Sequence, residues 1–132
     1  EISFERNKYF EKIFKYIKNK GGLVFTIDYG YFNNIQNFTL QAVQNHKKTN
    51  ILDNIGEKDI SSHVNFKDFI KIAYKYKLSI DECCNQREFL IKYGILERNK
   101  NLYKSKKSID LERLINKKEM GSLFKCLIIS NL

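Results

Sequence analysis

A short apolar run directly after two glycines constrains the fold of this chain more than any other feature. The run Leu23–Ile27 (LVFTI) follows Gly21-Gly22 and stops at Asp28-Tyr29-Gly30. The run is continuous rather than alternating, and a strand that is apolar on both faces is usually covered on both faces. The run therefore predicts a buried strand of a parallel α/β sheet.

An amphipathic helix is predicted before this strand, over Ile2–Lys20. Its apolar residues recur at spacings of three and four, and they are Phe10, Ile13, Phe14 and Ile17. Gly21-Gly22 suits a left-handed helix end. Helix, glycine turn and buried strand together favour an α/β fold. The 132 residues are enough for one domain with one modest core.

The remaining elements are predicted from local patterns. The predicted helices are Phe66–Tyr76, Gln86–Tyr93 and Ser108 to about Asn116, and the predicted strands are Leu78–Cys84 and Leu123–Ser130. Phe38–His46 is predicted as a short helix or an extended segment. The predicted loops are a polar loop over 31–36, an irregular loop over 47–62 and a flexible lysine-rich loop over 97–107. Asn65 or Asp68 is expected to cap the Phe66 helix. Its predicted inward positions are Phe66, Phe69, Ile70, Ala73 and Tyr74.

The net charge of +9 does not by itself predict a nucleic-acid partner. The excess is mostly lysine, and the chain is also rich in Asn, Ile, Tyr and Phe and lacks Pro. These residues share A/T-rich codons, so codon bias explains the lysines better than phosphate binding does. No apolar stretch approaches 18 residues, so no membrane span is expected.

The cysteines predict neither a disulfide framework nor a metal site. There are three, Cys83, Cys84 and Cys126, and no CxxC or HxxxH spacing accompanies them. Cysteine is commonly a small buried hydrophobic residue. We interpret the three thiols as those of a protein from a reducing compartment.

Position alone makes Asp28 a candidate functional residue, because ligands bind beyond the carboxyl ends of strands in open α/β sheets. The alternative is a turn acid followed by a turn glycine. His46 and His63 are the two histidines, and each is either a general base or a structural residue. Asp59 and Ser61 can brace turns through their side chains. No GxGxxG, GxxxxGK[ST] or GxSxG motif is present.

Five segments in order resemble one family. They are GGLVFTIDYG, TLQAVQNH, GEKDISSHVNF, QREFLIKYGI and EMGSLFKCL. They resemble the C-terminal half of the MidA-type S-adenosylmethionine-dependent methyltransferases, whose mitochondrial members are complex I assembly factors that methylate an arginine of a complex I core subunit. The resemblance implies a Rossmann-like class I fold, with this chain as a single partial domain (1–132) that contributes the last three strands. Their expected spatial order is first, last, middle, with the last strand antiparallel.

The resemblance also implies site residues. Asp28, His46, Asp59 and Gln86 are expected to line the catalytic pocket, and Tyr29 and Gly30 to contact the cofactor S-adenosyl-L-methionine. Ser61, His63, Val64, Phe89-Leu90, Gly121 and Phe124 also match family positions. Ile55 stands where the family commonly has Pro, and Ser61 where Thr is commoner. His63 is not universal in the family.

The family's N-terminal half carries the glycine-rich loop and the acid that holds the ribose, and neither matches a segment of this chain. Leu23–Ile27 would then lack its central neighbour, and an apolar strand with an open edge invites pairing. The hypothesis is a methyltransferase portion that is inactive until the missing half is supplied in trans. Its expected substrate is a protein, such as a respiratory complex I subunit, and its expected location the bacterial cytoplasm or the mitochondrion. The alternatives are a non-catalytic remnant and a basic binding module.

Overall fold

The computed structural model describes residues 3–33, 38–45, 47–103 and 109–132. The elements in chain order are α1 (Phe4–Lys20), β1 (Gly22–Tyr31), β2 (Gln41–Gln44), β3 (Lys47–Thr49), β4 (Asp59–Ser61), β5 (Val64–Asn65), α2 (Phe66–Lys75), β6 (Ser79–Asn85), α3 (Gln86–Lys92), α4 (Ile95–Tyr103), α5 (Ile109–Ile115), α6 (Met120–Leu123) and β7 (Phe124–Asn131).

The main sheet has the strand order β5-β1-β7-β6. β7 runs antiparallel to β1 from Gly22↔Asn131 to Tyr29↔Phe124, and antiparallel to β6 on its other side. β5 adds a two-residue parallel pairing at Gly30↔Val64. The order of β1, β7 and β6, with the last strand antiparallel, confirms the topology that the resemblance implied. The sheet is mixed rather than parallel.

Helices α1 and α2 cover the face of the sheet that holds Leu127 and Ile129, here called the inner face. Phe14, Phe66 and Phe69 are fully or almost fully buried there. Burial of each such side chain stabilises the fold by roughly 1.5–3 kcal/mol. The two helices are joined by stacking of Phe10 on Phe69, with ring centroids 3.8 Å apart.

The cap predicted for α2 is confirmed. The Asn65 side chain accepts a hydrogen bond from the backbone N–H of Lys67, and its amide donates to Asp68. The Asp68 carboxylate also pairs with Arg6 of α1 at 3.1 Å. The predicted inward positions Phe66, Phe69 and Ala73 are buried, whereas Tyr74 is 67% exposed, so that prediction is wrong. The buried face of α2 is narrower than the apolar pattern suggests.

Helices α3 and α6 contact the opposite, outer face of the sheet, and α5 packs on both helices. A capping box between Asn85 and Glu88 starts α3. Gly94 has a φ of 85°, and the helix stops just before it, within one residue of the predicted end at Tyr93. The chain then enters α4, so the flexible loop predicted from residue 97 is wrong as far as Tyr103. Residues 104–107 of that loop and the predicted cap Ser108 lie outside the described residues.

A second, three-stranded sheet has the order β3-β2-β4. Its pairing is antiparallel throughout, with Ala42 opposite both Thr49 and Ile60. Phe38–His46 was predicted as helix or extended chain, and the structure has a strand at Gln41–Gln44. The irregular loop predicted over 47–62 is wrong at both ends, where β3 and β4 form. Both are three-residue strands that owe their conformation to pairing with β2.

β1 is not covered on both faces, contrary to prediction. Its exposure alternates, because Val24 packs against the core while alternate residues on the outer face are open. We call these residues the β1 stripe: Leu23 is 50%, Phe25 46%, Ile27 40% and Tyr29 41% exposed. Over Gly22–Tyr29, β1 pairs with β7 alone among the described strands. An apolar strand therefore has one exposed face and one open edge.

Candidate functional site

β1 changes its pairing partner at its carboxyl end. The strand runs antiparallel to β7 as far as Tyr29 and then pairs in parallel with β5 at Gly30 and Tyr31. This change brings together three segments that are distant in the sequence and that each match family positions: Asp28–Gly30, His63-Val64 and Phe124. The carboxyl end of such a strand is where open α/β sheets bind ligands.

Gly30 permits close contact at this point. A Cβ atom on Gly30 would lie 2.4 Å from the Val64 carbonyl oxygen and 2.6 Å from the Phe66 ring. Such distances are far inside van der Waals contact, so a side chain cannot be accommodated without movement. The buried ring of Phe66 closes the inner face of the site at this position. A role for Gly30 in cofactor binding stays a prediction.

Asp28 is exposed, and one of its carboxylate oxygens accepts a 2.7 Å hydrogen bond from the Tyr29 N–H. Its cross-strand partner is Lys125 of β7. The four ion pairs within the described residues include neither Asp28 nor Lys125. The Asp28 carboxylate is thus available to a ligand beyond the end of the strand.

Lys125 is a residue that the sequence analysis missed. Its ammonium donates to the Ser122 carbonyl, at the end of α6. Burial lowers the pKa of Lys125, and the nearby Glu88 carboxylate acts in the opposite direction. Only the register of β7 against β1 places Lys125 opposite Asp28 in the sheet, and no local pattern in FKCLIIS indicates that register.

Tyr29 belongs to a small aromatic surface. Its ring centroid lies 4.0 Å from that of Phe124, and 6.4 Å from that of His63 with an interplanar angle of 18°. The His63 backbone is held by an N–H bond of 3.0 Å to the Thr39 hydroxyl. The aromatic surface is half-exposed and lies beside the Asp28 carboxylate in sequence.

The other predicted site residues are Gln86, Asp59 and His46. Gln86 is buried at the start of α3, and its amide donates to the Leu114 carbonyl at 3.0 Å. Asp59 is exposed on β4, in the second sheet, opposite Val43. His46 lies outside the described residues. Asn85 and Asp28 both pair with Lys125, so Gln86 lies at the same edge of the sheet as the end of β1, but its amide is turned to Leu114. The catalytic roles of Gln86 and Asp59 stay predictions.

Ser61 and Gly121 have structural contacts. The Ser61 hydroxyl accepts from the Gln41 amide at 3.3 Å, across the second sheet. A Cβ on Gly121 would lie 2.6 Å from the Ile115 carbonyl. The glycine is thus required for close packing in α6.

Comparison with known proteins gives a family match over the first part of the chain. Residues 1–84 match the family model described as "Putative S-adenosyl-L-methionine-dependent methyltransferase". This match covers more than half of the chain. The chain belongs to this methyltransferase family.

Similar proteins support the assignment. The chain is 30% identical over 102 residues to the protein arginine methyltransferase NDUFAF7 homolog, mitochondrial, of Caenorhabditis elegans; the match covers 77% of this chain and 24% of that protein. An uncharacterized protein from Burkholderia thailandensis has the same fold, with a TM-score of 0.85 and 22% identity over 98% of this chain and 38% of that one. That protein and a second one from Burkholderia thailandensis, described as a likely methyl transferase bound to S-adenosyl-homocysteine, belong to the same superfamily. The second structure gives a TM-score of 0.79 and 22% identity over 96% of this chain and 36% of that one.

The chain thus spans well under half the length of these relatives. S-adenosyl-L-methionine is the cofactor of the family. The described residues do not fit around it by themselves, because Phe66 fills the inner side of the β1 end while Asp28 and Tyr29 are open to solvent. None of the described helices has the length and apolar character needed to cross a membrane.

Proposed function

We propose that this chain is the C-terminal portion of a protein-arginine N-methyltransferase domain, and that the N-terminal portion of the domain supplies the cofactor cradle. The observation that carries the proposal is the open edge of β1 together with the exposed β1 stripe. A long apolar strand with an unpaired edge and an exposed face is a template for another strand. The relative named as a protein arginine methyltransferase supports the type of reaction.

In this proposal the residues at the end of β1 receive the substrate. A carboxylate accepts paired hydrogen bonds from a guanidinium, and Asp28 is the exposed carboxylate at this position. The Tyr29 and Phe124 rings form an aromatic surface on the other face of the sheet, because successive side chains of a strand point to opposite faces. The Asp28 carboxylate is therefore the contact proposed to orient an arginine side chain. In line with the family resemblance of the sequence, a respiratory complex I subunit is the proposed substrate protein.

The test is co-expression of the chain with the polypeptide encoded directly upstream of it. The purified complex is incubated with S-adenosyl-L-methionine and a complex I subunit preparation from the same organism, and methylated arginine is measured by mass spectrometry. The proposal expects arginine methylation by the complex and none by the chain alone. Activity of the chain alone would overturn the two-portion proposal. A folded complex without activity would favour a non-catalytic remnant.

Asp28→Asn provides the matched control variant. Asn keeps the size of the side chain and its ability to accept from the Tyr29 N–H, but removes the charge. The proposal expects the complex with Asp28→Asn to bind cofactor normally and to lose at least about tenfold in arginine methylation, since charge-assisted hydrogen bonds are worth about 1.5–3 kcal/mol. Full activity of this variant would exclude Asp28 as the guanidinium acceptor.

A further inference from the structure

An open cleft lies against the second sheet. Its volume is about 610 Å³. It is lined by Phe38, Thr39, Leu40, Gln41, Ala42, Lys48, Thr49, Asn50, Ile51 and His63. The lining mixes apolar side chains with hydrogen-bonding groups, as ligand sites do.

One polar group in the lining has no partner. The Thr49 hydroxyl is buried and forms no hydrogen bond, and it is the one such side-chain atom within the described residues. Leaving a buried hydroxyl unsatisfied is unfavourable, and native proteins seldom do so without a reason. By contrast, the Gln41 amide and the Asn50 side chain in the same lining already have partners, Ser61 and the Leu52 N–H.

The charge of the lining is one-sided. Among the described residues that line the cleft, Lys48 is the cation and none is Asp or Glu. Lys48 takes part in none of the ion pairs formed by the described residues. A cleft with an unpaired ammonium, a free hydroxyl and a histidine complements a carboxylate better than a cation.

The cleft is continuous with the end of β1 through one residue. His63 lines the cleft, and its ring lies 6.4 Å from the Tyr29 ring with the two planes nearly parallel. An extended chain advances about 3.3 Å per residue, so two residues span that separation. The Tyr29 ring thus lies within about two residues of extended chain from the His63 side of the cleft, so a substrate segment that flanks an arginine at the end of β1 can reach it.

From these observations we propose that the cleft binds the substrate protein next to its methylated arginine. It takes an extended peptide segment with an acidic side chain at least two residues from that arginine. The Lys48 ammonium pairs with the carboxylate, and the Thr49 hydroxyl gains its missing hydrogen bond from the peptide. The assignment of the arginine rests on the proposed function; the acidic-peptide site in the cleft does not.

The test is a two-dimensional NMR titration of the full chain with three short peptides. The probes are acetyl-Val-Glu-Val-Arg-Ala-amide and the same peptide with Gln or Lys in place of Glu. The Glu peptide is expected to shift the amide signals of the residues that line the cleft, and to bind about threefold more tightly than the Gln peptide and more tightly still than the Lys peptide. Equal binding of the three peptides, or shifts confined to other surfaces, would overturn the proposal.

Two pairs of variants isolate the groups involved. Lys48→Met is expected to abolish the preference for Glu over Gln, and Lys48→Arg to keep it. Thr49→Val removes a hydroxyl that has no partner in the free chain, so the variant should be at least as stable as the native chain yet bind the Glu peptide about fivefold more weakly. Thr49→Ser keeps the hydroxyl and should retain binding. A Thr49→Val variant that binds like the native chain would refute the role of the hydroxyl.

The titration requires no cofactor and no methyl transfer. Peptide binding in the cleft by a complex that methylates nothing would sustain the acidic-peptide site and refute the proposed activity. Methylation of arginine with no response of the cleft residues would support the proposed activity and refute the acidic-peptide site. The two proposals therefore fail separately.

Discussion

Replacement of Gly30 by Ala tests how closely β1, β5 and α2 pack at the candidate site. The added Cβ would lie 2.4 Å from the Val64 carbonyl oxygen and 2.6 and 2.7 Å from two carbons of the Phe66 ring. Ordinary contacts begin near 3.4 Å. The β1–β5 pairing or the ring must therefore move by most of an ångström. Phe66 is completely buried, so the ring has no solvent-exposed side toward which it can move.

Overpacking of a core costs about 1–3 kcal/mol, and we expect a loss near 3 kcal/mol because one of the clashing atoms belongs to the backbone. For a chain of this size that loss lowers the melting temperature by about 10 °C. Urea unfolding followed by circular dichroism measures the free energy, and an unchanged denaturant slope would show that the denatured state is unaffected.

Gly56→Ala is the matched control. Gly56 has a φ of +92° and no atom within 4 Å of its hypothetical Cβ, so its substitution strains the backbone but causes no clash. We expect a cost of about 1 kcal/mol there. Phe66→Leu should couple favourably with Gly30→Ala in a double-mutant cycle, because the smaller side chain relieves the clash. A Gly30→Ala loss no larger than that of Gly56→Ala, or strict additivity with Phe66→Leu, would refute the reasoning.

Three further predictions concern the groups that hold the chain together. Hydrogen bonds from Lys92 and then from the Tyr93 hydroxyl lower the pKa of Glu82. The contribution of Glu82 to stability is therefore present well above pH 4.5 and is lost as the pH falls through the lowered pKa. Glu82→Gln should weaken the loss of unfolding free energy at acidic pH, and an unchanged acid dependence would contradict this. Burial raises the pKa of the Cys126 thiol to about 12, so peptide mapping after iodoacetamide treatment at pH 8 should find Cys83 alkylated and Cys126 intact; early labelling of Cys126 would contradict its burial. Asn65→Ala should cost about 1 kcal/mol in thermal unfolding through loss of the α2 cap, whereas Asn65→Ser should cost less; equal losses would mean that the cap is unimportant.

Local patterns predicted the helices and strands whose causes are local. Asn65 caps α2 because its side chain reaches an N–H two residues away, and Gly94 ends α3 through its own φ. Both effects depend on residues close in the sequence and can be predicted from it. The order of β1, β7 and β6 came from the family resemblance instead, since nothing in the three segments themselves specifies which strand lies between the others.

The errors concern structure that depends on distant partners. β3 and β4 are short and polar, and only their pairing with β2 makes them strands. The sequence of α4 was mistaken for a loop because it is polar, but lysine and glutamate are good helix formers and the segment is helical. The half-exposed face of β1 was predicted to be covered because a continuous apolar run is usually buried on both sides.

The candidate site was predictable only in part. Asp28 and Tyr29 could be found from their position after an apolar run. Lys125 could not, because its proximity to Asp28 depends on the register between β1 and β7. The partnerless hydroxyl of Thr49 could not either, since it results from the packing of the second sheet.

The most direct test of the account is calorimetric titration of S-adenosyl-L-methionine into the chain alone and into its complex with the polypeptide encoded upstream. The account predicts no binding heat with the chain alone, because its described residues do not enclose the cofactor, and binding with a one-to-one stoichiometry in the complex. Micromolar binding by the isolated chain would contradict the account, as would the absence of binding by a folded complex.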